Sequence, residues 1–168
     1  MFKSILGRLF WTYAIILMLV FTSVAVTVGI FVNHFAISTH MNNVISVSRN
    51  LEYWTGSLQI EDTDYRARAA YKQLLRSWGS FLNSDIIVTN SNGEVLESTT
   101  SSATVPDELV HIVTNGNIVK KYSTLNGSYK NKMMVIGVPI KYQGGIVGAS
   151  FYVTGIFDIR KTTLELFM

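Results

Sequence analysis

The chain has 168 residues, with 14 Lys and Arg, 11 Asp and Glu, and no cysteine. That length suits one domain with one modest core. Lys3 and Arg8 precede a long apolar block, and the remaining 12 basic residues (14 minus 2) nearly balance the acidic ones. Binding to a nucleic-acid backbone needs a strongly basic face, so this near balance argues against nucleic acid as a partner. Without cysteine, disulfides, thiolate metal sites and cysteine nucleophiles are excluded.

The first predicted element is a transmembrane helix over residues 11–32, after a cytoplasmic N-terminus at 1–10. These 22 residues carry no charge, and as a helix they span about 33 Å, against a hydrocarbon core of roughly 30 Å. Lys3 and Arg8 lie just before them, so the positive-inside rule places the N-terminus in the cytoplasm. A cleaved signal peptide is the alternative, but its apolar region is shorter. The predicted localisation is the cell membrane, with the lipid bilayer as a partner and a domain outside the cytoplasm.

A long helix is predicted to continue over 33–60, where the chain has no proline and one glycine. Apolar residues recur there at the a and d spacing of a heptad. This stripe either packs on its own domain or pairs, in its membrane-proximal half, with a second copy to form a homodimer. Both can hold on one helix. The predicted dimer and signalling residues are Ile37, Val44, Val47, Leu51, Trp54 and Leu58.

A second helix is predicted over 65–82, after an acidic segment at 61–64 that suits a helix N-terminus. Apolar residues on one face repeat at helical spacing and are expected to be buried. A neighbouring basic stripe is either solvated or a binding site for an anion. The predicted buried face consists of Ala67, Tyr71, Leu74, Leu75, Trp78 and Leu82, and the possible anion stripe consists of Arg68, Lys72 and Arg76.

The hydrophobic pattern then changes from helix to strand. A hairpin is predicted from strands at 85–89 and 94–97, joined by an Asn-Ser-Asn-Gly turn. A short helix follows at 105–115, opened by Thr104 in a capping-box pattern. Antiparallel hairpins with helices packed on them make the fold class α+β. The sheet region, 84–154, contains three further predicted strands at 118–125, 132–142 and 146–154.

Two stretches resemble extracytoplasmic PAS-like sensor domains. The run from Asp85 to Val95 resembles their first hairpin, and the runs 138–140 and 144–149 resemble their last two strands. The whole chain is similar to the sensor region of a bacterial membrane sensor histidine kinase, of the single Cache or PDC type. The resemblance implies a five-stranded antiparallel sheet with helices packed on it, in a sensor domain over 33–155. It also implies an exit helix at 156–168, leading toward a second transmembrane helix.

The resemblance implies signal input to a two-component system, in an N-terminal fragment that is not itself an enzyme. Displacement of the helices that flank the domain would carry the signal across the membrane. Chemoreceptors and cyclic-dinucleotide enzymes use the same input module. The family's pocket lies between the concave face of the sheet and the loops and helix that cross it. The implied partner is a small-molecule ligand or an envelope protein. The predicted lining is Trp78, Tyr122, Tyr129, Met133 and Tyr152, and the alternative is that these residues fill the core.

No catalytic constellation stands out in the sequence. The three histidines, His34, His40 and His111, lack metal-ligand spacing, so no metal and no other cofactor is predicted. A pilin-like or other membrane-anchored structural protein is the alternative function, because pilins also run an apolar helix into an α+β head. Counting from Gly7, however, the glutamate that pilins carry is replaced by Thr12.

Overall fold

A computed structural model describes residues 5–60, 65–101 and 104–155. The chain divides into two compact units, Met1–Ser38 and Thr39–Met168. Helix α1, Ile5–Ile60, contributes residues to both. The expectations for residues 1–4, for the acidic segment 61–64 and for the exit helix 156–168 lie outside the described residues.

In the first unit, α1 is apolar on all sides. Its large side chains are exposed, with Phe10 at 71% and Met18 at 73%. Thr12, Thr22 and Thr27 each donate their hydroxyl to the carbonyl four residues back, at 2.8–2.9 Å. A helix that is apolar all round and satisfies its own polar groups suits a lipid environment. In the described part of the chain, α1 is the one helix long and apolar enough to cross a membrane.

The second unit contains an antiparallel sheet of five strands. The elements after α1 are α2 (Tyr65–Leu82), β1 (Asp85–Asn90), β2 (Val95–Ser98), α3 (Asp107–Thr114), β3 (Val119–Ser123), β4 (Met133–Tyr142) and β5 (Gly145–Thr154). The strand order is β2-β1-β5-β4-β3. The last strand therefore lies in the centre, with Phe151 of β5 opposite Ile87 of β1 and Gly137 of β4. The predicted fold class is confirmed.

One face of the sheet is apolar and is covered by α3. Ile87, Val135 and Phe151 of the sheet pack against Leu109 and Val113 of α3, and each is at most 1% exposed. Burying one such side chain contributes about 1.5–3 kcal/mol. We call this set the apolar cluster. It consists of Ile87, Val105, Leu109, Val110, Val113, Leu125, Val135, Ala149, Phe151 and Val153.

The opposite face contacts α1 and α2 and contains buried hydroxyl groups. The Ser48 hydroxyl of α1 lies 3.3 Å from the Ser150 hydroxyl of β5, and the Thr55 hydroxyl lies 2.6 Å from that of Tyr71 on α2. Tyr152 is fully buried beside Ser48 and Ser150, and burial raises the pKa of its phenol to about 12. Its hydroxyl adjoins those of Ser150 and Ser48, which act to lower that pKa, but burial dominates. We call these five residues the hydroxyl seam.

The buried face of α1 departs from the predicted heptad stripe. Val44, Val47 and Leu51 are at most 2% exposed, but the next buried position is Thr55, and Trp54 is 50% exposed. A straight helix packed on one domain follows a spacing of about 3.6 residues, which drifts away from a heptad. Ile37 is half-buried in the first unit, and the side chain of Leu58 lies outside the described set.

The start of α3 differs from the prediction that Thr104 caps it. The N-cap is Pro106, which has no side-chain cap bond. Its backbone is extended (ψ 135°), and its carbonyl accepts the N–H of Leu109 at 2.9 Å. The first helical turn is therefore built on Pro106, which leaves Thr104 two residues too early to cap it.

The end of β3 also differs from the predicted 118–125. The strand ends at Ser123, and Leu125, Asn126 and Gly127 all have positive φ (47°, 55° and 83°). Left-handed residues cannot continue a strand. The Asn-Gly pair therefore lies within a loop between β3 and β4 and does not form a two-residue hairpin.

Candidate functional site

A cleft of about 490 Å³ opens where α2 ends and β1 begins, beside the end of β5. Asn83 closes α2 in a left-handed conformation (φ 48°), and the Ser84 N–H bonds the Gly79 carbonyl at 2.9 Å. This is the usual chemistry of a helix C-terminus. The Thr154 hydroxyl donates to the Asn83 carbonyl at 2.9 Å, so the same turn also holds the end of β5. We call this the sheet-end cleft.

The sheet-end cleft contains a paired carboxylate. The Tyr129 hydroxyl donates to Oδ2 of Asp85 at 2.7 Å, and both residues are half-buried. Burial, and next the bond to Asp85, raise the pKa of the Tyr129 phenol. The phenol therefore stays protonated and donates. An ionised carboxylate accepts several bonds, so Asp85 can receive a second donor from a ligand.

The loop between β3 and β4 positions Tyr129. Leu125 is fully buried in the apolar cluster despite its positive φ. The Tyr129 N–H bonds the Thr124 carbonyl at 3.0 Å, which closes the turn. A left-handed residue with a side chain costs about 1–2 kcal/mol, and burying a leucine returns about 1.5–3 kcal/mol. The burial of Leu125 therefore stabilises a strained loop that holds the Tyr129 phenol against Asp85.

The five residues predicted to line a pocket do not form one group. Tyr129 and Met133 both pack on the apolar cluster, and Met133 lines the sheet-end cleft, whereas Tyr129 reaches it through its bond to Asp85. Tyr152 belongs to the hydroxyl seam on the other face. Tyr122 is 45% exposed on β3, on the same face as Tyr152 by register. Trp78 is half-buried on α2.

Sequence reasoning missed Asp85 as a site residue. In the sequence, Asp85 is only the first residue of an apolar strand. A carboxylate half-buried next to such a run needs a partner, which is the signal that was available. Its partner Tyr129 is 44 residues away in the chain, and no local pattern links the two.

A second cleft, of about 710 Å³, lies between α2 and β2 with the loop that follows β2. Lys72 and Arg76 of the predicted basic stripe line it, whereas Arg68 does not. Lys72 pairs with Glu97 of β2 at 2.9 Å. Arg76 and Thr99 line both clefts, which therefore adjoin. We call this one the α2–β2 cleft.

The histidines do not converge with other ligands. Among the described residues, no group of three or more His, Cys, Asp or Glu side chains could hold a metal ion. Burial lowers the pKa of His40 on α1, so its imidazole is neutral near pH 7.

Solved bacterial sensor domains share this architecture. The ligand-binding domain of the Campylobacter jejuni chemoreceptor Tlp3 in complex with 4-methylisoleucine matches with a TM-score of 0.56 and 18% identity, over 76% of this chain and 56% of that chain. The same domain in complex with L-valine matches with a TM-score of 0.54 and 16% identity, over 79% of this chain and 59% of that chain. The fold is that of the Cache/PDC sensor domains. The sensor domain of the V. cholerae histidine kinase DctB matches with a TM-score of 0.45 and 9% identity, over 76% of this chain and 56% of that chain.

The predicted resemblance to Cache/PDC domains is thereby confirmed at the level of fold. The chain spans less than two thirds of the Tlp3 domains it matches. No protein-family model matches it, and no curated protein matches it.

Proposed function

We propose that the chain is the extracytoplasmic signal-input region of a bacterial transmembrane receptor, and that its second unit binds a small molecule. The fold shared with chemoreceptor ligand-binding domains supports this proposal. The observation that carries the ligand site is the 2.7 Å bond between Tyr129 and the half-buried Asp85 in the sheet-end cleft. Small-molecule sites usually combine apolar side chains with a few fixed polar groups, and the sheet-end cleft has both.

The ligand we propose carries an amino group. An ammonium would bond the Asp85 carboxylate, which gives a charge-assisted hydrogen bond. Met133 and Val153 supply apolar contact in the same cleft, and Arg76 supplies a positive charge for an acidic group. Tlp3 domains were solved with L-valine and with isoleucine. Small amino acids are therefore the first compounds to test.

Calorimetric titration of the purified chain with a panel of amino acids tests the ligand. At least one should bind saturably, and Asp85→Asn should weaken it by about 1.5–3 kcal/mol, or more than tenfold. Asp107→Asn is the matched control, because Asp107 is exposed on α3 and does not line the cleft. Equal binding by wild type and Asp85→Asn would remove Asp85 from the site.

The membrane arrangement we propose is a single N-terminal span with the N-terminus in the cytoplasm. The basic residues before the apolar run and the charge-free run itself support it. A cysteine introduced near position 3 should be shielded from membrane-impermeant thiol reagents in intact cells. One at exposed Lys130 should react.

We further propose that two chains pair through the outward side of α1. Tyr53 is 69% exposed and lies about 200° around the helix from buried Leu51. Trp54 is next to it, 50% exposed, with the two rings edge to face. Exposed aromatic residues on one side of a helix suit a partner surface. Native mass measurement in detergent should give two chains, and Tyr53→Glu should shift it toward one.

The output we propose is a sensor histidine kinase, with a chemoreceptor or a cyclic-dinucleotide enzyme as the alternative. Helix α1 enters the sensor unit and contacts the central strand β5 through Ser48 and Ser150, which supports transmission by helix displacement. Sequencing the gene beyond codon 168 tests the output. A phosphoacceptor domain followed by an ATP-binding domain supports the kinase, and a chemoreceptor signalling domain would replace it.

A further inference from the structure

The α2–β2 cleft contains two cations on one side of α2. Lys72 and Arg76 are four residues apart, so their side chains are neighbours on the helix surface and repel each other. Glu97 faces them from β2 and pairs with Lys72 at 2.9 Å. In the described part of the chain, Arg76 makes no ion pair. Two cations against one carboxylate leave the cleft with an excess positive charge.

The wall opposite α2 is fixed to the sheet. The Thr99 hydroxyl accepts the Ile86 N–H at 2.8 Å, and the Thr99 N–H donates to the Ile86 carbonyl at 2.9 Å. Ser98 accepts the Thr100 N–H at 3.1 Å. The segment after β2 is thus held in position before any ligand arrives, which lowers the entropic cost of binding.

The same wall combines hydroxyl groups with apolar surface. Ser98, Thr99 and Thr100 line the cleft together with Val95 and Leu96, each of which is 44% exposed. Inorganic phosphate would use only the charges and hydroxyls. A carboxylate on a short carbon chain would use the apolar surface as well.

We propose that the α2–β2 cleft is a second binding site, which takes a small organic carboxylate on Arg76 and Lys72. The planar guanidinium of Arg76 matches a carboxylate in a bidentate arrangement. The bound carboxylate competes with Glu97 for Lys72, so occupancy loosens the link between α2 and β2. The two clefts share Arg76, but this site does not use Asp85, which does not line it, so it can bind a carboxylate even if the sheet-end cleft binds no amino group.

The test is isothermal titration of the full chain in nanodiscs of phosphatidylcholine, at constant ionic strength. Glutarate is the carboxylate probe, and inorganic phosphate is the comparison. We expect saturable glutarate binding that weakens at least about tenfold in Arg76→Gln, the loss expected for a hydrogen bond to a charged group. Arg76→Lys should retain part of the affinity because lysine keeps the positive charge. It should not retain all of it, because an ammonium cannot bind the carboxylate in the bidentate arrangement. Arg68→Gln, which removes an equal charge from the same helix outside the cleft, should bind as wild type does.

Glu97 gives a test of opposite sign. Glu97→Gln frees Lys72 and removes the competing negative charge, so it should bind glutarate severalfold more tightly. Asp107→Asn removes an equal charge from α3 and should change nothing.

The absence of saturable glutarate binding in the millimolar range would overturn the proposal. So would equal losses in Arg68→Gln and Arg76→Gln, or phosphate binding as tight as glutarate. If Arg76→Gln is unfolded by circular dichroism, Arg76→Lys and Glu97→Gln still decide the question. Asp85→Asn should leave glutarate binding intact, so a failure here is distinct from a failure of the amino-group site.

Discussion

The two faces of the sheet differ in how they are covered. Beneath α3 lies the apolar cluster, where Phe151, Ile87 and Val135 meet leucine and valine side chains. Beneath α1 and α2, apolar side chains alternate with the hydroxyl seam of Ser48, Ser150, Thr55, Tyr71 and Tyr152. Apolar packing stabilises in proportion to area, whereas buried hydroxyls contribute little net energy and depend on geometry. Both faces bury apolar side chains, and the α1 face differs in that its contacts also include hydroxyl pairs, which depend on geometry.

The largest expected effect lies on the α3 face. Phe151→Ala removes a fully buried ring at the centre of the apolar cluster and should lower the free energy of unfolding by about 3–5 kcal/mol. Urea denaturation followed by circular dichroism measures it. A loss below about 1 kcal/mol would mean that Phe151 is not packed at the centre of this cluster, because even an Ile→Val change costs 0.5–1.5 kcal/mol.

The contact between α1 and the sheet gives the next effect. A Cβ at Gly56 would overlap the ring of Tyr142, so Gly56→Ala must displace one of them and should cost about 1–3 kcal/mol. Gly29 in the same helix has nothing within 4 Å of its would-be Cβ. Gly29→Ala should therefore be neutral or slightly stabilising, since alanine is the better helix former. If the two variants change the unfolding temperature equally, α1 does not pack closely against Tyr142 at Gly56.

Two tyrosines in the hydroxyl seam should respond differently to loss of their hydroxyl. Tyr71→Phe leaves the buried Thr55 hydroxyl without its 2.6 Å partner and should cost about 1 kcal/mol. The Tyr152 hydroxyl adjoins Ser48 and Ser150, which remain paired with each other when it is removed, so Tyr152→Phe should cost less than Tyr71→Phe. Chemical denaturation of both variants compares them directly. The reverse order would show that Tyr152 carries the stronger bond.

The smallest expected effect is the change in stability when Tyr71 and Tyr152 ionise, because this occurs only in alkaline solution. Burial raises the pKa of Tyr71 and Tyr152 above that of an unfolded chain, to about 12 for Tyr152. The neutral phenol is therefore favoured in the folded state, and its contribution to stability is complete below about pH 10 and is lost as pH rises toward 12. Tyrosinate absorbance should show delayed ionisation that coincides with loss of circular dichroism. Asp85→Asn should also lower the pKa of Tyr129, because the bond to Asp85 is a cause of its rise.

Local patterns accounted for much of the fold. The charge-free run, the helical spacing of Tyr71, Leu75 and Leu82, and the alternation along the strands predicted the elements and their order, because each depends on nearby residues. Proline and the left-handed residues moved element ends by two residues, at Pro106 and Leu125, because those backbone choices depend on tertiary contacts.

The site could not be derived in the same way. The basic residues Lys72 and Arg76 were visible as a helical stripe, but their cleft exists only because β2 and its following loop lie opposite them. Asp85 and Tyr129 come together because β1 pairs with the last strand and the β3–β4 loop folds back over it. Local periodicity is enough to predict the apolar helix and the α+β pattern, because each depends on neighbouring residues. Which polar residues share a cleft depends on strand order, because that order joins residues far apart in the chain.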